Sequence, residues 1–213
     1  MIIEMINTSK EMFTSDFILT RKGEQIGEFH VKGRLGSIEG EVEGRIFEDR
    51  IRMKRCRKRD VKRNKPEAPK PFRPYELWLN DQPIGYVYNT CVKTGFLKEY
   101  AYHKMYFYQQ EYESYDIGRG EEGGKIMQYF QETQLAEIEL PATIYNDLYP
   151  YRLYIRNEAD VTVTLITTIY RYILGCFNPG TKVVSSVVTN NYYTKEQELI
   201  EKYDPDFIKA IEE

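Results

Sequence analysis

The sequence predicts a mainly β protein with one buried, apolar helix in its last third. Tyrosine accounts for 19 of the 213 residues and aromatic residues for 14%, and aromatic side chains favour the half-buried face of a pleated sheet. Short segments that alternate apolar and polar residues recur between turn residues from about residue 17 to residue 156. The run from Val161 to Leu174 is apolar on every side, which is typical of a helix enclosed by other elements.

Consecutive hairpins account for the alternating segments. Gly23 supplies the positive φ that a tight turn needs between the two strands of residues 17–29. A long strand is predicted over residues 37–47, and two glycines on its inner face, Gly40 and Gly44, indicate a bend or a close backbone approach. Further strands are predicted over residues 50–54, 75–79, 84–88, 102–108, 111–117, 125–131, 134–140 and 149–156.

The apolar helix is predicted over residues 158–174. Asn157 can cap its first turn, and Gly175 stands where a glycine that ends a helix is expected. Eight of the nine residues from 161 to 169 are β-branched, which favours a strand on local propensity, so burial is what favours the helix. A strand over residues 182–189 and two short helices, starting at Thr194 and at Asp204, are predicted to follow.

This order of elements resembles the Tubby C-terminal-like fold, which the Tubby proteins, the phospholipid scramblases and the LURP-one-related proteins share. The hairpins of residues 17–29, 75–88 and 125–140 and the helix of residues 158–174 carry the resemblance, which covers about residues 17–175. The resemblance implies an antiparallel β-barrel of about ten or more strands, threaded by the buried helix and followed by a short α-helical tail. Members of this group are associated with anionic phospholipids, with lipid-related roles or with no known activity.

On this plan the chain forms one domain with two extensions. Residues 1–16 are expected to be an N-terminal arm, residues 17–175 the barrel with its central helix, and residues 176–213 an extension packed on the same domain. The side chains expected to form the buried core of the helix are Val161, Leu165, Ile166, Ile169, Tyr172 and Ile173.

The net charge of −3 conceals a strongly basic segment. Residues 50–73 contain twelve lysines and arginines but only two acids, which leaves a net charge of −13 on the remainder of the chain. The part from Cys56 to Pro74 contains four prolines and the densest run of cations, so it is predicted to be a long exposed loop or hairpin tip. The candidate anion-binding residues are Arg50, Arg52, Lys54, Arg55, Arg57, Lys58, Arg59, Lys62 and Arg63.

Four interpretations of this basic segment remain open. Its cations can pair with the acidic remainder of the chain, or they can bind anionic lipid headgroups or phosphate, for which guanidinium groups are suited. They can also meet acidic surfaces of a protein partner or of a second copy of the chain. Nucleic acid is a further alternative, which is less favoured because Phe72 and Tyr75, the nearest aromatic residues, stand only at the far end of the segment.

No catalytic constellation is found, so the sequence predicts a non-enzymatic binding protein without a metal or a cofactor. The two histidines, His30 and His103, lie outside any cluster with metal-ligand spacing. The spacing Gly118-x-Gly120-x-x-Gly123 imitates a dinucleotide fingerprint, but a strand is predicted after it where that fingerprint needs a helix. The acids Glu39, Glu41 and Glu43 are expected on a solvated strand face.

The predicted location is the cytoplasm, and peripheral contact with a membrane is compatible with the basic segment. The first residues lack the basic start and long apolar stretch of a signal peptide, and no transmembrane segment is predicted. The three cysteines, Cys56, Cys91 and Cys176, are scattered and odd in number, which favours a reducing compartment.

Overall fold

The computed structural model describes residues 1–33, 40–93, 99–120, 123–177, 179–181, 185–190, 192–194 and 197–213. The strands are β1 (Ile2–Lys10), β2 (Thr14–Arg21), β3 (Glu24–Gly33), β4 (Gly40–Ile46), β5 (Asp49–Arg55), β6 (Phe72–Leu79), β7 (Gln82–Lys93), β8 (Glu99–Phe107), β9 (Gln110–Gly120), β10 (Gly124–Phe130), β11 (Thr133–Leu140), β12 (Thr143–Tyr145), β13 (Pro150–Ile155), β14 (Val187–Thr189) and β15 (Tyr192–Tyr193). The helices are α1 (Lys58–Asn64), α2 (Val161–Gly175), α3 (Gln197–Lys202) and α4 (Phe207–Glu212), and a 3-10 turn at Glu158–Asp160 precedes α2.

Twelve of these strands form a closed antiparallel barrel, which confirms the predicted fold class. The order around the ring is β10, β11, β13, β1, β2, β3, β4, β5, β6, β7, β8 and β9, and β9 pairs with β10 to close it. Because neighbouring strands run in opposite directions, every connection between them lies at one of two ends. We call the end at which α2 begins the lower end and the end at which α2 finishes the upper end.

Helix α2 lies inside the barrel. Tyr172 packs edge-on against Phe17 of β2 at 4.8 Å between ring centroids, and Tyr170 packs against Tyr75 of β6 at 5.8 Å. The Gln128 amide of β10 donates to α2 from a third direction. Since β2, β6 and β10 are spaced by a third of the ring, these contacts enclose the helix. The six predicted core residues of the helix are at most 2% exposed: Val161, Leu165, Ile166, Ile169, Tyr172 and Ile173.

The threonines of α2 explain how a β-branched segment becomes a buried helix. The Thr164 hydroxyl donates to the carbonyl oxygen of Asp160, and the Thr168 hydroxyl donates to that of Thr164, both at 2.8 Å. The Thr167 hydroxyl accepts from the Gln128 amide at 3.0 Å. Each buried hydroxyl therefore has a partner, and burial of the apolar neighbours outweighs the low helix propensity of these residues.

The N-terminal segment is a strand of the barrel, so its prediction as an arm is wrong. β1 lies between β13 and β2 and pairs with both. Ile3 and Met5 are fully buried in the core, and the amino group of Met1 donates to the Ile155 carbonyl oxygen at 2.7 Å. Burial of alternate apolar side chains in the ring stabilises this segment.

Gly44 has the close contact that the sequence indicates. A Cβ atom at Gly44 would lie 2.1 Å from the nearest atom of the Phe29 ring, which fills the space in front of β4. Gly175 differs from its prediction, because it is the last residue of α2 and not a left-handed residue beyond it. A Cβ atom there would meet Nη1 of Arg171 at 2.1 Å, so the absence of a side chain leaves room for that guanidinium group.

The C-terminal segment packs on the outside of the barrel. β15 pairs with β9, and the buried side chain of Leu199 in α3 packs on a cluster of tyrosines from β8, β9 and β10. The Thr194 hydroxyl accepts from the Gly118 backbone N–H, and residues 195 and 196, which separate it from α3, lie outside the described residues. The second predicted helix start shifts, because Asp206 is the residue before α4. Of the predicted strand 182–189, residues 182–184 lie outside the described residues, and Val187–Thr189 forms β14, which pairs with β12.

Candidate anion-binding surface

Helix α1 occupies the first half of the segment that the sequence predicts to be a loop or hairpin tip, so that part of the prediction is wrong. All four prolines of the segment follow the helix, which leaves Lys58–Asn64 free of them. The Asp60 carboxylate accepts a hydrogen bond from the Arg57 backbone N–H at 3.0 Å. An acid in the first turn also stabilises the positive end of the helix dipole.

One apolar side chain, Val61, fixes α1 to the outer wall of the barrel. Val61 is fully buried and packs with Ala68 and with two tyrosines of β7 and β8. The Lys62 ammonium group donates to the carbonyl oxygens of Pro66, at 3.1 Å, and of Ala68. These contacts join α1 and the residues that follow it into one folded unit, in which Lys62 has a structural role.

The three cations of β5 lie on the barrel wall and face acidic partners. Arg52 donates to the Asp81 carboxylate, and Nη1 of Arg50 lies 4.0 Å from the same group. Lys54 stands directly opposite Glu76 of β6, and opposite charges at facing strand positions attract. For Arg50, Arg52 and Lys54 the geometry therefore favours internal neutralisation.

Arg55 holds the two ends of the basic segment together. Its guanidinium Nη1 donates to the carbonyl oxygens of Pro74, at 2.6 Å, and of Cys56, at 3.1 Å. Burial raises the pKa of the neighbouring Cys56 thiol to about 12, so this cysteine is neutral at physiological pH and is not an activated nucleophile.

The cations of α1 are placed differently from those of β5. The cations of α1 and of the residue before it are all exposed, and these are Arg57, Lys58, Arg59, Lys62 and Arg63. Nε of Arg59 lies 3.9 Å from the Asp60 carboxylate, in an exposed pair that screening weakens. Among the described residues, no carboxylate lies within 4.0 Å of the side-chain nitrogens of Arg57, Lys58 or Arg63. These side chains therefore present positive charge to solvent.

An exposed aromatic ring lies among these cations. Phe72, at the first position of β6, is 49% exposed. The Lys58 ammonium group lies 5.7 Å from the centre of its ring, and the Arg73 guanidinium carbon lies 5.3 Å from it. Both distances suit a cation–π contact. We call the surface formed by the following residues the cationic rim: Arg57, Lys58, Arg59, Arg63, Phe72 and Arg73.

Helix α2 holds the cationic rim in place from inside the barrel. Arg73 has a left-handed backbone with φ of 48°, in a bulge of β6, and the Tyr170 hydroxyl donates to its carbonyl oxygen at 2.9 Å. The Arg73 side chain donates to the Leu174 carbonyl oxygen at 3.4 Å, near the end of α2. A left-handed arginine is strained, and such strain persists only where surrounding contacts fix it.

Sequence reasoning missed two members of the rim. Arg73 is not one of the nine anion-binding candidates that the sequence predicts. Phe72 stands at the far end of the basic segment in the sequence, but in the fold Lys58 of α1 lies next to its ring. The prolines carry part of the missing signal, because all four stand at or after residue 66 and leave residues 57–65 free to form a helix. Of the nine candidates, the structure brings four together on α1 and places the others on β5 or in internal hydrogen bonds.

A second polar cluster lies at the upper end of the barrel interior. Nε of Arg171 donates to the Asp116 carboxylate at 2.6 Å, and Nε2 of His103 lies 3.6 Å from the other carboxylate oxygen. Burial alone raises the pKa of Asp116, but the charge of Arg171 and the contact with His103 overcome this and hold the pKa well below its ordinary value. Asp116 is thus ionised and fixes α2 to β9.

The remaining sequence candidates gain no metal-binding geometry among the described residues, and Glu39 lies outside them. Nδ1 of His30 lies 2.5 Å from the Asp16 carboxylate on the outer wall, where both side chains are roughly half exposed. Within the described part of the chain, no group of three or more histidine, cysteine or acidic side chains can hold a metal ion. A strand, β10, follows Gly123, so the phosphate-binding helix terminus of a dinucleotide site is not formed there.

Arginine and lysine side chains beside an exposed aromatic ring can bind phosphate groups at the interface between lipid headgroups and acyl chains. Guanidinium groups pair with two phosphate oxygens at once, and an exposed aromatic ring can enter the interfacial layer of a bilayer. None of the described helices has the length and apolar character that crossing a membrane requires. No family model, curated protein or solved structure significantly matches this chain, so the inference of function starts from this surface.

Proposed function

We propose that this chain is a non-enzymatic binding protein that recognises the phosphate groups of anionic lipid headgroups through the cationic rim. The observation that carries the proposal is the exposed Phe72 ring between Lys58 and Arg73, beside cations of α1 that lack a carboxylate partner among the described residues. Some members of the group that the order of elements resembles are associated with anionic phospholipids.

The composition of the rim favours a lipid surface over free phosphate and over single-stranded nucleic acid. Each basic residue near an anionic leaflet contributes about 1 kcal/mol of attraction, so the three cations at the start of α1 supply roughly 3 kcal/mol. Phe72 adds apolar contact that free phosphate does not use. Single-stranded nucleic acid is typically bound by several stacked aromatic rings in a groove, whereas Tyr75 is fully buried and leaves Phe72 alone.

Vesicle co-sedimentation tests this proposal. Wild-type protein is expected to sediment with phosphatidylcholine vesicles that contain phosphatidylserine and to remain in the supernatant with phosphatidylcholine alone. Substitution of Arg57, Lys58 and Arg59 by serine should lower the partition coefficient roughly 100-fold, from the loss of about 1 kcal/mol per cation. Added salt should weaken wild-type binding, because exposed charges are screened.

A matched variant removes the same charge elsewhere. Arg21, Lys22 and Lys209 are surface cations outside the rim, and their substitution by serine should leave the partition coefficient nearly unchanged. Equal binding to both kinds of vesicle, or equal loss in the two triple variants, contradicts the proposal. Competition by inorganic phosphate distinguishes a soluble phosphate ligand from a headgroup, and preferential binding of RNA over vesicles would favour the nucleic-acid alternative.

A further inference from the structure

Exposed apolar side chains concentrate at the upper end of the barrel. Nine large apolar side chains of the described residues are strongly exposed, and five of them lie at the upper end. These five are Met12, Phe72, Tyr145, Val187 and Val188. Phe47 and Tyr108 lie at the lower end, and Ile6 and Ile200 lie on the wall and on the tail. The two ends of the barrel therefore differ in the apolar surface that they present.

The charges of the two ends differ in sign. The six lower-end turns, residues 21–24, 46–49, 79–82, 107–110, 130–133 and 156–160, carry seven acids and three cations. At the upper end, Lys58 and Arg73 flank Phe72 at the start of β6, whereas the later residues of the basic segment run along the outer wall, where Lys65 lies 5.0 Å from the centre of the Tyr106 ring near the turn of residues 107–110. An anionic surface would attract the upper end and repel the lower end.

The ribbon of β12 and β14 is a second projection from the upper end. Tyr145 and Val187 face each other on one side of the ribbon and are 62% and 63% exposed. On the other side Ile144 is buried and its partner Val188 is 47% exposed, so the side with Tyr145 and Val187 is the more exposed one. An apolar pair on a two-stranded ribbon is a shape that can enter the interfacial layer of a bilayer.

The ribbon and the cationic rim lie on opposite sides of the same barrel end. The ribbon follows β11 and precedes β13, whereas the rim joins β5 to β6. Half of the ring separates these two positions, because six of the twelve strands lie between them in either direction. In one direction these strands are β13, β1, β2, β3, β4 and β5. If the ribbon and the cationic rim both contact one flat surface, the barrel axis has a fixed orientation relative to that surface.

We infer that the barrel docks end-on to an anionic bilayer, with its upper end on the membrane, the cationic rim on headgroup phosphates and the ribbon residues Tyr145 and Val187 in the interfacial layer. This inference rests on the proposed function and adds an orientation and a second, apolar contact to it. The position of both surfaces at one barrel end, together with the acidic opposite end, favours a bilayer as the occupant.

The single tryptophan reports the orientation. Trp78 lies six residues after Phe72 on β6, roughly 20 Å along the strand towards the lower end. With phosphatidylserine vesicles whose phosphatidylcholine carries bromine in its acyl chains, the fluorescence of Trp78 should be retained. In the variant Phe72→Trp/Trp78→Phe, the new indole at the rim should be quenched. Quenching of Trp78 with no quenching at position 72 would overturn end-on docking.

A pair of matched variants tests the apolar contact. Tyr145→Ser/Val187→Ser should lower the partition coefficient on phosphatidylserine vesicles roughly tenfold, because apolar area is withheld from the bilayer. Phe47→Ser/Tyr108→Ser removes the exposed apolar pair of the lower end and should leave the partition coefficient unchanged. Equal effects of the two pairs overturn the inference while the proposed function stands. Absence of wild-type binding to phosphatidylserine vesicles overturns both.

Discussion

At the scale of single residues, the ion pair of Arg171 and Asp116 shows how the barrel holds its central helix at the upper end. Arg171 is the only charged residue of α2, and its guanidinium group reaches the Asp116 carboxylate of β9. Gly175 leaves the space that this guanidinium group occupies. Removing one partner leaves a partly buried charge without compensation, so the pair is costly to break even where its net contribution is small.

Asp116→Asn should therefore lower the free energy of unfolding by about 1–3 kcal/mol in urea titrations near neutral pH, an amount discounted for the partial exposure of the carboxylate. Because the folded state holds the pKa of Asp116 below its unfolded value, the stabilisation is complete above about pH 4 and is lost as the pH falls through the folded pKa. The difference between wild type and variant should thus shrink in acid.

Asp81→Asn is the matched control for this substitution. Asp81 also pairs with an arginine, but its side chain is 59% exposed on the barrel wall. Exposed pairs contribute at most about 1 kcal/mol, so this variant should lose less stability than Asp116→Asn. An equal loss in the two variants would show that the Arg171–Asp116 pair has no special role in fixing α2.

At the scale of elements, the parts of the fold that the sequence predicts are those with a strong pattern. Alternation of apolar and polar residues predicts the hairpins, and the long apolar run predicts α2. β1 was missed because the adjacent pair Ile2 and Ile3 and the buried polar Asn7 interrupt its alternation. α1 was missed because Val61 is its only buried side chain, and a seven-residue helix with one apolar anchor has no periodicity to detect.

That single anchor leads to a prediction for α1. A helix of seven residues is not stable by itself, so its structure depends on the contact of Val61 with the barrel wall. Val61→Ala should increase local opening of residues 57–65 about tenfold and leave the unfolding of the barrel nearly unchanged. Trypsin, which cleaves after lysine and arginine, should cut this segment faster in the variant than in wild type.

Val187→Ala provides the comparison, because it makes the same chemical change at an exposed position of β14. Cleavage of the α1 segment at the wild-type rate in Val61→Ala would contradict the role of Val61 as the anchor. Faster cleavage in both variants would indicate a general loss of stability instead of local release of α1.

At the scale of the whole molecule, the closed ring and the enclosed helix make the barrel a rigid support with two unlike ends. Every strand of the ring has two neighbours, so no strand of the barrel is left as an edge. The basic segment that stands out in the sequence divides between β5, whose cations face acids of β6 and of the turn that follows it, and α1, which is packed on the outer wall and presents its cations to solvent. The sequence could not predict this division, because it depends on Asp81 and Glu76 facing β5 across the folded sheet.

Hydrogen–deuterium exchange with and without phosphatidylserine vesicles tests whether the cationic rim is the surface that meets an anionic membrane. Bound vesicles are predicted to slow exchange of backbone amides in residues 57–73. The wall strand β5 and the lower-end turns should exchange at the same rate with and without vesicles. Protection of β5 or of the lower end, with residues 57–73 unchanged, would contradict this role of the rim.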